Sequence, residues 1–213
     1  MGLADSIRPA VRGGVVVAVS DPAGRVAIVH RDDVWNLIEE ARRADPDPNE
    51  RLRVLCDRLS GLPLPEIVGF QIGLDEVRRP LDTWVSWAAA ARIMGGFCSD
   101  DGFWYFQPWV IGLGRDAYER VVANPDALAD LPEVRCLAGR PFESWSDAEW
   151  PQWEELAYVA EEAYEARTGQ EDGLENALDA LGIDLAADPN PPDDGLTDTA
   201  RARLLPRLHA LFP

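Results

Sequence analysis

The sequence predicts a mainly α protein: a single helical domain with an N-terminal β-hairpin and an acidic helical C-terminal extension. Three observations carry the prediction. From Asp33 onward, apolar side chains recur at i, i+3, i+4 and i+7 in blocks bounded by Pro, Gly and Asp, the period of one helix face. Ahead of them, Gly14 to His30 places two β-branched runs around Asp21-Pro22-Ala23-Gly24, a turn in which Pro sets φ and Gly takes the left-handed position. Behind them, residues 142–198 hold 17 acidic residues and one basic residue, Arg167. The implied division is an arm and hairpin over 1–30, a helical domain over 31–169 and the acidic extension over 170–213.

A lone hairpin is marginal in water, so this one must pack on the body, pair with other strands or meet a second chain. The first helix is expected from Asp33, a good N-cap, with Val34, Leu37, Ile38 and Ala41 on its apolar stripe. A second carries Leu52, Leu55, Cys56 and Leu59 and ends at Gly61 and Pro63. Pro65 opens a third, with Ile67, Phe70 and Leu74 inward. Asp82 is read as the cap of a fourth, Thr83 to Met94, which is apolar nearly all round and therefore buried. Gly95-Gly96 ends it, and Ser99 or Asp100 caps a fifth helix. There Phe103, Phe106 and either Trp109 or Val110 point inward, and Pro108 predicts a kink or a fresh start. Thr83 to Gly114, with four of the eight tryptophans, is expected to be the centre of the domain.

Asp116 to Ala123 reads as a short helix, and Asn124-Pro125-Asp126 as the cap of a turn through Leu131. Residues 132–144 read as irregular. Ser146 or Asp147 is expected to cap a long helix with Trp153, Leu156, Ala157, Ala160 and Tyr164 on one side and Glu154, Glu155, Glu161, Glu162 and Glu165 on the other. A weaker helix follows from Gly173 to Leu181. Residues 188–195, DPNPPDDG, read as a linker before a last helix from about Asp198 that Pro206 interrupts.

Composition excludes several functions. Apolar residues at 46% and charged residues at 27% are ordinary for a globular protein, and no apolar run is long enough for a membrane span. The N-terminus lacks the apolar stretch of a secretory signal. Cys56, Cys98 and Cys136 are few, odd in number and far apart, which fits free thiols in a reduced cytoplasm. The net charge of −18 repels phosphate backbones, so direct nucleic-acid binding is not expected. All 20 basic residues are arginine, which rules out a Schiff-base or P-loop lysine. With two histidines and isolated cysteines, no cofactor or metal is expected.

One resemblance rests on particular residues. Trp35-Asn36-Leu37-Ile38-Glu39-Glu40-Ala41-Arg42, Trp87-Ala88-Ala89-Ala90-Ala91, Gly95 to Phe103 with Tyr105-Phe106, Asn124 to Ala129, and Ala157-Tyr158-Val159-Ala160 with Ala163-Tyr164 are its pieces. From about Val34 to Gly169 the chain resembles a bacterial domain-of-unknown-function family, number 4240. The resemblance implies a mainly helical domain in a bacterial protein and no particular activity. Gln107 departs from the arginine usual there, and Pro108 follows it.

The candidate ligand or partner site is Trp84, Trp87, Arg92, Cys98, Ser99, Asp100, Asp101, Trp104 and Tyr105. Asp100 and Asp101 read either as an acid/base or metal-binding pair or as the capping acids of a helix. Arg92 reads as an anion-binding group or as the partner of Asp100, Asp101 or Asp75. Cys98 reads as a nucleophile or as a small buried apolar side chain. Trp104 and Tyr105 read as a second packing layer or as anchors for a partner. The acidic segment reads as a solvated face or as a surface for a basic protein. The function expected is a non-catalytic module that binds a basic protein partner, as an immunity protein or a nucleic-acid mimic does. The alternative is a small hydrolase or ligand-binding domain with its site at Gly95–Asp101, using Arg92 and also Asp75 or Glu76.

Overall fold

The computed structural model describes residues 16–20 and 26–213, with side-chain detail from residue 31 onward. The protein is mainly helical. Two strands, β1 (Val16–Ser20) and β2 (Val26–His30), pair antiparallel, with Val16 opposite His30 and Ser20 opposite Val26. The Asp21–Gly24 turn expected between them lies outside the described residues. Strand β2 runs straight into helix α1 (Arg31–Ala44), which begins two residues before the expected cap.

Asp47 caps α2 (Pro48–Ser60) by accepting from the Asn49 and Glu50 amides. Helix α3 (Leu64–Arg78) follows, and it is the centre of the fold. It touches both strands, α1, α5 (Asp100–Gly112), α8 (Glu154–Thr168) and α9 (Gly173–Ala180). The expected stripe of Ile67, Phe70 and Leu74 is buried, but so are Val68, Ile72 and Val77 on the other sides. A helix apolar all round belongs in the interior. Gly73 lets α1 come close: a Cβ there would lie 2.6 Å from Val34 Cγ2. The centre is therefore α3, and Thr83 to Gly114 forms one flank of it.

Helix α4 (Trp84–Ile93) is capped by Thr83, whose hydroxyl accepts from the Ser86 amide, and not by Asp82. Asp82 instead accepts from Gln107 and from the Asn190 amide, tying two distant segments together. Helix α5 runs through Pro108 without restarting, and both Trp109 and Val110 are buried on it. Helix α6 (Arg115–Ala123) leads to a 3₁₀ turn, Pro125–Asp130, capped by Asn124, and then to the short α7 (Pro132–Arg135). Ser146 caps only a 3₁₀ turn, Asp147–Glu149, in a reciprocal capping box; the long helix α8 starts after Pro151.

Residues 170–213 fold back onto the body. Leu174 and Leu178 of α9 join the same core as the rest. Within residues 188–195, Pro191 is buried and the Asn190 amide is bonded to Asp82, so this segment is strapped to the surface. Beyond it lie α10 (Asp198–Ala202) and α11 (Pro206–Leu211), with Pro206 opening the second helix. Both lie against α4, and Leu205 and Leu208 are buried. The Asp126 carboxylate, itself buried, accepts from the Arg207 and Leu208 amides and from Arg207 Nε. It caps α11 from across the molecule. Among the described residues no helix is long and apolar enough to cross a membrane.

Candidate functional site

The residues singled out around the Gly-Gly break do not converge on one site. Ser99 is the N-cap of α5, its hydroxyl accepting from the Gly102 amide at 3.1 Å. Asp100 and Asp101 are exposed in the first turn, where their charge meets the positive end of the helix dipole. Neither makes an ion pair among the described residues. The Cys98 thiol is pushed up to about 12, by burial first and by the Asp100 charge second, so it stays protonated at neutral pH. Asp75 pairs with Arg78 at 2.6 Å and Arg79 at 2.7 Å. Arg92 meets none of these carboxylates, which corrects the expected ion pair.

Arg92, Trp84 and Trp87 line a groove of about 380 Å³ between α4 and the C-terminal helices. The two indoles stack at 5.4 Å, and Trp87 stacks in turn on Phe103 at 4.6 Å. This row of rings continues through Phe106 to Trp109, so most of the aromatic set is packing. Trp87 is pinned by its indole N–H, which donates to the Cys98 carbonyl at 3.0 Å. The opposite wall is Ala202, Leu205 and His209, with Arg201 set 5.3 Å above the Trp84 ring. Arg201 is paired with Asp194 and Asp198. The Asp194 carboxyl is held down to about 2, chiefly by hydrogen bonds from Arg201.

Trp104 and Tyr105 point to the far side of α5. The Tyr105 phenol is raised above its ordinary value, first by its hydrogen bond with Tyr158, then by burial and by Glu154. The Arg78 guanidinium sits 3.9 Å above the Trp104 ring and donates to Gln107 at 2.9 Å. Gln107 passes a hydrogen bond on to Asp82 at 3.1 Å. An amide can accept from Arg78 and donate to Asp82 at once, which an arginine at 107 could not do.

Trp104 and Tyr158 border a second groove, of about 390 Å³, between α8, α9 and residues 183–187. Glu161, Glu175, Asp179 and Asp184 line it, and no basic side chain does. The Glu161 carboxyl is raised, by burial first and then by the charges of Glu175, Asp172, Glu165 and Glu162. Gln71 Oε1 is buried without a hydrogen-bond partner on a residue of the same lining. Other parts of the acidic segment lie elsewhere: Glu149 pairs with Arg140, and Asp194 and Asp198 pair with Arg201.

Sequence reasoning missed His209, Arg201 and Leu205 on the first groove and Gln71, Glu175 and Asp179 on the second. Nothing in the local pattern links the tail to α4. Among the described residues no group of three His, Cys, Asp or Glu side chains is placed to hold a metal ion.

The protein is mainly helical, and two of its surface grooves differ in the charge of their linings. The chain belongs to a family described as protein of unknown function (DUF4240), whose pattern matches residues 29–166. Neither a curated protein nor a solved structure matches the chain. The family match ends within α8, so α9, α10 and α11, which supply one wall of each groove, lie beyond it.

Proposed function

We propose that this protein is a non-catalytic binding module that takes a basic segment of a partner protein into the groove between α8 and α9. The observation that supports this most is the groove's lining: four carboxylates, two aromatic rims, an unpaired amide oxygen and no basic side chain. Every charged group on the lining is a carboxylate, so the complementary ligand brings donors and positive charge. An arginine or lysine side chain brings both, and the Tyr158 ring adds a face that attracts a cation. The crowding that raises Glu161 is relieved when a cation enters.

Of two versions of this reading, neutralisation of a basic toxin is favoured over mimicry of nucleic acid. A concave site with aromatic walls receives a side chain, whereas a mimic presents rows of charge on a convex face. Three separated free thiols fit a cytoplasmic setting.

The test is isothermal titration of an arginine-rich peptide at low and high salt into the native protein and into a Glu161→Gln, Glu175→Gln, Asp179→Asn variant. The reading expects salt-sensitive binding that weakens by about tenfold or more in the variant. Equal affinity of the two proteins would overturn it.

A further inference from the structure

The groove between α4 and the tail has the opposite character, and its arginine is the reason. In a chain of 38 acidic and 20 basic residues, a half-buried arginine ordinarily finds a carboxylate. Arg78 and Arg201 do, while Arg51 is held by the Asp45 and Pro46 carbonyls. Arg92 does not: its Nη1 donates to the Phe212 carbonyl at 3.2 Å, and its Nη2 faces His209 Nε2 at 3.4 Å. A guanidinium has donors only, so that second contact is a hydrogen bond only when His209 is neutral with Nε2 as acceptor. Arg92 thus contacts a carbonyl and an imidazole and makes no ion pair among the described residues. The one carboxylate on the lining, Asp198, is committed to Arg201.

The remaining surfaces specify the shape of a ligand. Ala88 and Ala91 keep the floor low, and Ala202 is small on the facing wall. Gly96 sits at φ +97°, where side chains are strained, and a Cβ there would meet nothing within 4 Å, so the mouth is open. The Trp84, Trp87 and Phe103 rings form a stack, with Arg201 over Trp84, so the indoles give the groove a stiff wall held also by the bond to the Cys98 carbonyl. A volume of about 380 Å³ is at the small end of the range for small-molecule sites. We infer that this groove binds a small aromatic anion, its ring over the alanine floor and against the groove-facing margins of Trp84 and Trp87, and its carboxylate or phosphate on Arg92. The assignment is independent of the basic-segment reading, since no residue lines both grooves.

The test uses 2-naphthoate, 2-naphthyl phosphate and the neutral 2-naphthamide as probes, titrated calorimetrically into the full chain. The expected result is saturable one-to-one binding of at least one anion. The amide should bind about tenfold or more weakly, as should the anion to Arg92→Gln, the scale of a lost charge-assisted bond. Which anion binds more tightly separates carboxylate from phosphate. Ala88→Leu keeps every charge and fills the floor, so it should abolish binding even if Arg92→Gln fails to fold. Failure of both anions to bind, equal binding of anion and amide, or full binding to Ala88→Leu would each overturn the assignment.

Discussion

The two grooves are nearly equal in volume, about 380 and 390 Å³, and both have tryptophan on the wall. They differ in what balances their charge. On the acidic side four carboxylates share one lining, and the Glu161 carboxyl is raised by burial and by its neighbours. On the tail side Arg201 is balanced by two aspartates, and only Arg92 is left over. Like charges gathered by the fold raise the free energy of the unliganded state, and a ligand of opposite charge recovers it. The same chemistry spread into pairs, as around Arg201, is self-sufficient and recruits nothing.

The walls are also held differently, and this gives the largest expected effect. Leu208 is fully buried beneath the tail-side groove, whereas Leu178 sits at the edge of the core under α9. Leu208→Ala should cost about 2–5 kcal/mol, with Leu178→Ala toward or below the lower end. Thermal unfolding of the two variants checks the order, and a reversal would break the distinction between the walls.

Next in size is the cap across the molecule. Replacing Asp126 by Asn removes a buried charge that accepts from two amides and from Arg207, at a cost of about 1.5–3 kcal/mol for charge-assisted bonds. Denaturant titration measures the loss. Hydrogen exchange should show it first in α10 and α11, with α9 protected as before.

Acid separates the grooves by sign. Asp194 is depressed from 3.8 to about 2, so its ion pair with Arg201 stabilises the fold above pH 3.8 and loses that effect as pH falls toward about 2. Glu161 is raised from 4.5, so its protonated form favours the folded state: that stabilisation is complete below pH 4.5 and is lost as pH rises through the raised value. Amide exchange followed downward from neutral pH should therefore show α9 tightening first and α10 loosening later. The smallest effect follows from the same cause: Glu161→Gln should stabilise the free protein by no more than about 0.5 kcal/mol, since the side chain is at the surface.

Much of the helical plan was legible because it is written in local period and capping. Ser99 and Asn124 cap as their residue types imply, and Pro206 opens a helix as proline does. Tryptophan density points to Thr83–Gly114 as the centre, whereas α3, which occupies it, buries mostly aliphatic residues on every side. That all-round pattern was present in Val68, Ile72 and Val77. The site was legible only in pieces. Trp84, Trp87 and Arg92 do share a groove, but its other wall comes from residues more than a hundred positions away. Long-range returns of this kind leave no periodic trace. Asp126 is the clearest case: read locally it belongs to a turn, and in the fold it is the cap of the last helix.

The central claim is that a basic segment enters the α8–α9 groove and leaves the tail-side groove alone. The most direct measurement follows the indole N–H signals of the eight tryptophans by nuclear magnetic resonance while an arginine-rich peptide is added. The account predicts that the Trp104 signal moves while Trp84 and Trp87 stay in place. Movement of Trp84 or Trp87 with Trp104 unchanged would contradict it.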